Sequence, residues 1–417
     1  MVRAPGCKTG INSSPPNPTP SQVARLVHLV IVFAVLCVPV SAVSDNFAAL
    51  SAKADAARDA EHLVEAISLY RRALVLRPSW KNGWWSLGTI YYDQDAYAKA
   101  ARAFQSLLKA DPKSGTAYSM LGLCQFELGQ DAAALRSIQS GLSLGLVKDQ
   151  SLRNVVLYHE GILLLRQGKF GNAQDALSLM ASYGAEGDQS AWALGMAALR
   201  IRPQNLPAEG SKQREVVLRA GRAEVLGAQK KFDEGAKIYT ELAAEAPEYP
   251  GLHYAYGMFL LLEHLTDEAI PEFQQEIKNN PRHVQSYLEI ASVEYHVDSA
   301  AGAKYAEEAV KLQPALPAAH YLLGLLYADT SEYPKAITQL ELAEKSQIHE
   351  PDLYYALGRA YSRTGRKQEA ARARAMFLRL SSQASGQEEP NIYGEHRPLA
   401  HDRAAAGAGS SDEVKRP

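Results

Sequence analysis

Cysteine is scarce in this 417-residue chain, which has three in all, Cys7, Cys37 and Cys124. If the first 42 residues are removed as a leader, only Cys124 remains, which excludes an intramolecular disulfide and any cysteine pair for zinc. Cys124 reads as a small buried hydrophobe. Phosphate-binding loops are absent: no GxxxxGK[ST] occurs, and no GxGxxG follows a strand pattern. Sustained alternation of Val, Ile and Thr is lacking after residue 45, which argues against a mixed α/β enzyme fold. Neither sign of charge dominates, with 44 basic residues against 46 acidic ones. No basic stripe of the kind a nucleic acid requires is present. His159-Glu160 begins like a zinc-protease helix, but Gly161-Ile162-Leu163 follows and the second histidine is missing. His396 and His401 lie in irregular text, and no local motif suggests a Ser/His/Asp set. The sequence therefore assigns no catalytic residue, no metal ligand and no cofactor.

What the chain does contain is a recurrence every 34 residues. In the clearest copy, from Lys81 to Ser114, Trp84, Leu87, Gly88 and Tyr91 lie three and four apart and share one helical face. Ala100, Phe104 and Leu107 do the same on a second stretch, which Pro112 closes because it has no N–H and disfavours helix in the residue before it. Two amphipathic helices must then face each other. Gly88 and Ala100 are small where the backbones cross, while Trp84 and Phe104 fill the flanks. Copies marked Gly257, Ala269 and Pro281, then Gly324 and Ala336, then Gly358 repeat the arrangement. In one copy Ile290 stands where Gly is expected. Pro271 falls inside a helix and should kink it. Ala191, Leu194, Gly195 and Ala198 read as a first helix without a second. The Pro/Gly-rich text that follows marks 204–212 as a loop and a seam between two sub-arrays.

Those marks resemble the tetratricopeptide repeat, from about Phe47 to Phe377. The resemblance implies an all-α chain, an α-solenoid wound as a right-handed superhelix of stacked helix–turn–helix units, whose usual work is holding other proteins. With 47% hydrophobic and 22% charged residues, there is enough apolar material for a stacked core. The expected organisation is a first array over 47–203, the seam at 204–212, a second array with a capping helix over 213–380, and a disordered tail over 381–417. Arg372, Arg374 and Arg379 on the last helix suit a cap that no further repeat covers.

In that family the first helices line the concave surface, at positions one, five and eight after the first core residue. Carried onto this chain, the register gives a groove containing Trp85 and Tyr92, Phe126, Tyr158 and Ile162, Tyr254 and Met258, Tyr287, Tyr321 and Leu325, and Tyr355 and Arg359. Aromatics recur at the first of these positions, where they offer large contact area at small entropy cost. The same position also serves plain packing between repeats, and both roles stay open. The Lys and Asn of a carboxylate-gripping groove are replaced by apolar residues, so the expected ligand is an amphipathic helix or an extended apolar segment. A protein or peptide partner is expected and a nucleic acid is not. An enzyme or an enzyme-associated subunit with a site in the atypical region 182–213 is the alternative.

Residues 1–42 carry Arg3, Lys8 and Arg25 and no acidic residue. The apolar run from Leu26 to Val40 ends in Val40-Ser41-Ala42, a small-residue cleavage pattern. The run is shorter than the roughly 20 residues that span a bilayer. It reads as a secretory signal, which implies a periplasmic or secreted protein, with an uncleaved membrane anchor as the lesser reading. A role in the bacterial cell envelope fits this address.

Overall fold

The computed structural model describes residues 46–145, 150–185 and 187–384; the expected signal, residues 1–42, and nearly all of the expected tail fall outside them. The all-α expectation holds, since every regular element among the described residues is helical. The chain forms two compact units, divided after Pro78.

The first unit contributes α1 (Phe47–Asp59) and α2 (Leu63–Leu76), packed as a pair. Ala54 and Ala66 are fully buried between them, and the Tyr70 hydroxyl donates to Asp55 Oδ1 at 2.6 Å.

In the second unit, α3 (Lys81–Asp93) pairs with α4 (Tyr97–Ala110), α5 (Gly115–Glu127) with α6 (Asp131–Ser143), and α7 (Gln150–Gln167) with α8 (Phe170–Ser182). After α9 (Asp188–Ala198) and a single 3₁₀ turn at Pro203–Asn205 come α10 (Lys212–Ala228) and α11 (Phe232–Glu245). The pairs α12 (Leu252–Leu261) with α13 (Thr266–Asn279), and α14 (Val284–Val297) with α15 (Ser299–Leu312), follow. The last two are α16 (Pro317–Asp329) with α17 (Tyr333–Lys345), and α18 (Pro351–Arg363) with α19 (Lys367–Ala384). Each first helix also touches the second helix of the pair before it, so the unit is a stack. Helix α13 continues through Pro271.

A single register organises these pairs. A small residue on the first helix is followed twelve positions later by a second small residue and sixteen positions later by a large one, as in Gly88, Ala100 and Phe104. A Cβ on Gly88 would lie 2.8 Å from the Phe104 ring, and one on Gly257 would lie 2.6 Å from Phe273. Leu177 opposes Gly161 at 2.5 Å and Leu340 opposes Gly324 at 2.5 Å in the same sense. Each glycine is thus the socket for a side chain of the next helix. The same spacing relates Ala223, Gly235 and Tyr239, and all three are buried. In the pair α14/α15 the sizes are exchanged: Ile290 takes the socket position, Gly302 the second position and Ala306 the large one. All three remain buried.

Seven positions after each socket the chain turns into the second helix through a left-handed residue: Asp95, Lys230, His264 and Ser331 have φ of 55°, 62°, 58° and 65°, and glycine takes the role at 129, 168 and 365. The α14/α15 pair is again the exception, with Asp298 closing one helix and accepting from the Ala300 and Ala301 N–H groups to open the next.

Helix α9 does have a partner, contrary to the expectation of an unpaired first helix. It packs on α10, where a Cβ on Gly195 would sit 2.0 Å from the Val217 carbonyl oxygen and one on Gly221 1.7 Å from that of Ala191. Only glycines permit such backbone contact. Helix α10 therefore acts as second helix to α9 and first helix to α11, and one hydrophobic cluster runs without interruption from Ala100 to Phe259.

Candidate functional site

The positions expected to line the groove fall into three environments. Ile162, Tyr254 and Leu325 are buried, with exposures of 8%, 7% and 3%. Trp85, Tyr92, Phe126, Tyr158, Met258, Tyr287, Tyr321 and Arg359 are half-buried, and Tyr355 is exposed at 57%. Most of the aromatic rings are held by neighbours: Trp85 meets Phe104 edge-on at 5.7 Å, Tyr92 meets Tyr97 at 5.4 Å, and Phe126 meets His159 at 4.6 Å with the Arg166 guanidinium 4.7 Å from its ring. Tyr287 donates its hydroxyl to the Pro281 carbonyl at 3.2 Å. Tyr254 packs against Phe273 and His283, and Arg200 approaches its ring to 5.7 Å. What these rings offer to solvent is a broken row of apolar edges held in fixed positions.

Polar groups at the same faces escaped the sequence reading. Glu224 follows the socket residue Ala223, the place held by Thr89, Leu123 and Met258 in other pairs, and is 2% exposed. Its Oε1 accepts from the Tyr239 hydroxyl at 2.5 Å and its Oε2 from Gln174 Nε2 at 3.0 Å, joining α8, α10 and α11. Burial drives the Glu224 carboxyl up to about 7 against the pull of those two donors. Asp55 in α1 bonds Tyr70 in the same register, a large tyrosine over a small residue followed by an acid, which is a pattern readable from sequence once the spacing of sixteen is known.

His253, in the position of Trp84, ties three elements together. Its Nδ1 lies 2.6 Å from Glu272 Oε2 on α13, and its Nε2 lies 2.9 Å from the Pro247 carbonyl in the preceding turn. Both neighbours are acceptors, so the arrangement is complete with an imidazolium. Burial pushes His253 down, but Glu272, the Pro247 carbonyl and Glu276 together outweigh it and hold the ring above its usual value. Glu276, fully buried, accepts from the Gly251 N–H at 3.0 Å at the start of α12. His320 repeats the device with Pro314 at 2.8 Å and Gln339 at 2.6 Å. There the partner is an amide, which can turn its N–H₂ toward the ring, so a neutral imidazole suffices.

Cys124, His159, Asp188 and Arg214, residue types that catalysis uses, are each buried or bonded to neighbours. Cys124 is fully buried and its thiol is pushed up to about 12 by that burial. His159 Nδ1 lies 2.7 Å from the Val155 carbonyl, and burial lowers the ring. In the region 182–213, Asp188 pairs with Arg222 at 3.0 Å and Arg214 donates to the Pro207 carbonyl at 3.0 Å. Among the described residues no three His, Cys, Asp or Glu side chains gather as a metal site, and no helix is long and apolar enough to cross a membrane.

Comparison with known proteins follows the same lines. A tetratricopeptide-repeat family model matches residues 84–142, 221–283 and 295–351, and a second one matches 351–373. None of the curated proteins matches the chain. Among solved structures, it is similar to MamA from Desulfovibrio magneticus, with 21% identity over 42% of this chain and 98% of that one and a TM-score of 0.38. A tetratricopeptide repeat protein from Parabacteroides merdae shares 18% identity over 67% of this chain and 98% of that one, with a TM-score of 0.30. Yeast Tom70 shares 17% over 83% of this chain and 71% of that one, with a TM-score of 0.32.

Proposed function

The chain is a tetratricopeptide-repeat protein, and from that premise we propose that it is a non-catalytic scaffold that holds a peptide or helix of another protein against the first-helix faces of its second unit. The observation that supports this most is the row of half-buried aromatic and apolar side chains on successive first helices, Trp85, Tyr92, Phe126, Tyr158, Met258, Tyr287 and Tyr321. Most of their rings are held by neighbours, so a ligand would order few side chains on binding. Tyr254, being buried, belongs to the support of this surface; its replacement would test packing more than contact. A selection from a random-peptide library against the full chain should yield apolar or amphipathic sequences. Met258→Glu combined with Tyr287→Ser should weaken the selected peptide at least tenfold, while Glu234→Gln on α11 leaves it unchanged. Equal binding by both variants would remove the reading.

The proposal places this scaffold outside the cytosol, in the envelope or the medium, on the strength of the apolar run from Leu26 to Val40 and the small residues that end it. N-terminal sequencing of the protein isolated from its native cells should begin at Val43; a chain retaining the apolar run would contradict secretion of a processed form.

A further inference from the structure

Among the described residues nothing covers the outer face of the last repeat, whereas in each earlier pair of the stack the next pair covers it. Tyr321, Leu325 and Ala328 on α16 face α18, and Leu325 and Ala328 are each 3% exposed. Thirty-four residues on, α18 places Tyr355, Arg359 and Ser362 at the same positions, and Tyr355 is 57% exposed. On the paired helix, Ile337 and Leu340 are buried, whereas their counterparts Ala371 and Arg374 are exposed. Leu378 adds an apolar side chain that is 65% exposed, close to Phe377, whose ring lies 5.6 Å from that of Tyr355. This face is apolar at one level and basic at the next. Arg374 donates to Ser362 Oγ at 2.6 Å and meets no carboxylate among the described residues, whereas Arg359 turns back on the preceding pair, donating to the Ala328 carbonyl at 2.9 Å with its guanidinium 5.9 Å from the Tyr333 ring. From Ala370 to the end of α19 there is no acidic residue at all.

The chain continues past Ala384 with Ser385-Gly386-Gln387-Glu388-Glu389-Pro390-Asn391-Ile392-Tyr393-Gly394-Glu395. Two acids, a Pro-Asn pair of the kind that occupies the middle of a β-turn, and two apolar residues stand in that order. We propose that this segment, 385–395, docks back on the open face of the last repeat, with Glu388 and Glu389 against Arg374 and with Ile392 and Tyr393 against Tyr355 and Leu378.

Reach and charge both fit. Arg374 lies ten residues before the end of α19, a rise of about 15 Å, and four to five extended residues cover roughly that distance. Glu388 and Glu389 therefore arrive level with Arg374. A turn at Pro390-Asn391 then returns Ile392 and Tyr393 toward the Tyr355 level, one helical turn nearer the end of α19. Tethering raises the local concentration of the segment to about the millimolar range, so modest contacts hold it. Tyr355 shares the first-helix register, but none of the residues on which the proposed peptide site rests lies on this face.

Tyr393→p-benzoylphenylalanine in the full chain, irradiated and mapped by peptide mass spectrometry, tests it. The expected result is a cross-link within one chain to residues 353–380, whose yield falls at least fivefold when Glu388→Lys and Glu389→Lys are added. Those two changes lie beyond the last described residue of α19 and leave the described repeats intact. Cross-links that join two chains on this face would assign it to a second copy and overturn the proposal, as would scattered cross-links or a yield indifferent to the two charge reversals.

Discussion

Gly88 has room for a hydrogen and little else, because a Cβ would sit 2.8 Å from the Phe104 ring, itself fully buried. Gly88→Leu must therefore displace a core side chain, and we expect a loss of about 2–3 kcal/mol in urea unfolding. Two other glycines calibrate that number. At Gly358 the nearest atom to a new Cβ is the Arg374 side chain at 3.3 Å, on a flexible and exposed residue, so Gly358→Ala should be near neutral or slightly stabilising. At Gly171, the second residue of α8 with nothing within 4 Å, alanine should be neutral to stabilising by up to about 0.5 kcal/mol, since propensity counts for less at a helix end than in its interior. A uniform loss across the three would contradict the socket reading. Sequence alone shows that Gly88 is small where a helix face should be large. It does not reveal Glu224 as part of the same system, because a lone acid on an apolar face has no partner in view until Tyr239 and Gln174 are brought to it by folding.

At the scale of the element, the turn from α11 into α12 is held by His253 and its two acceptors, and this makes it sensitive to pH. The folded-state value of His253 is raised, so its contribution is complete below the unfolded value of about 6.5 and is lost as pH rises through the folded value. Glu224 acts in the same direction for a different reason: its folded value of about 7 lies above the unfolded one, so stability falls as pH climbs toward 7 and the buried carboxyl must ionise. His283, lowered to about 4 by burial and by Arg200, and His159, lowered by burial, oppose them only until the unfolded rings have lost their protons, about one pH unit above 6.5. The urea midpoint should therefore decrease between pH 6.5 and pH 8. Glu272→Gln, which copies the His320–Gln339 pair, should flatten that decrease, and an undiminished slope in the variant would show that His253 does not carry it. The helices themselves were legible because small residues, aromatics and closing prolines recur at fixed intervals. The pairing of α9 with α10 was not. Its contacting glycines, Gly195 and Gly221, lie 26 residues apart across the 3₁₀ turn, and a search keyed to the repeat period has no reason to connect them.

Over the whole of the second unit, one rule of size and spacing accounts for why different residues build the same pair. Asp298 shows how far the rule bends: the left-handed turn residue disappears, one side chain serves two helix ends, and the stack goes on. The candidate site depends on the rule more than on any single side chain, since Trp85, Met258 and Tyr287 are positioned by the helices on which they ride. Their expected places on the first helices could be read from sequence; their degree of burial could not, because it depends on how closely each pair approaches the next. The pair formed by α14 and α15, where Ile290 and Ala306 exchange large for small, isolates the rule best. The decisive measurement is a double-mutant cycle in urea with Ile290→Gly, Ala306→Leu and the two combined, which would install the size order found at Gly161 and Leu177. Each single change should destabilise, one by a cavity and the other by overpacking, while the combination should recover at least about 2 kcal/mol of their summed loss. Strict additivity of the two losses would mean that the positions do not face each other as socket and filler, and the account of how this unit is built would fail.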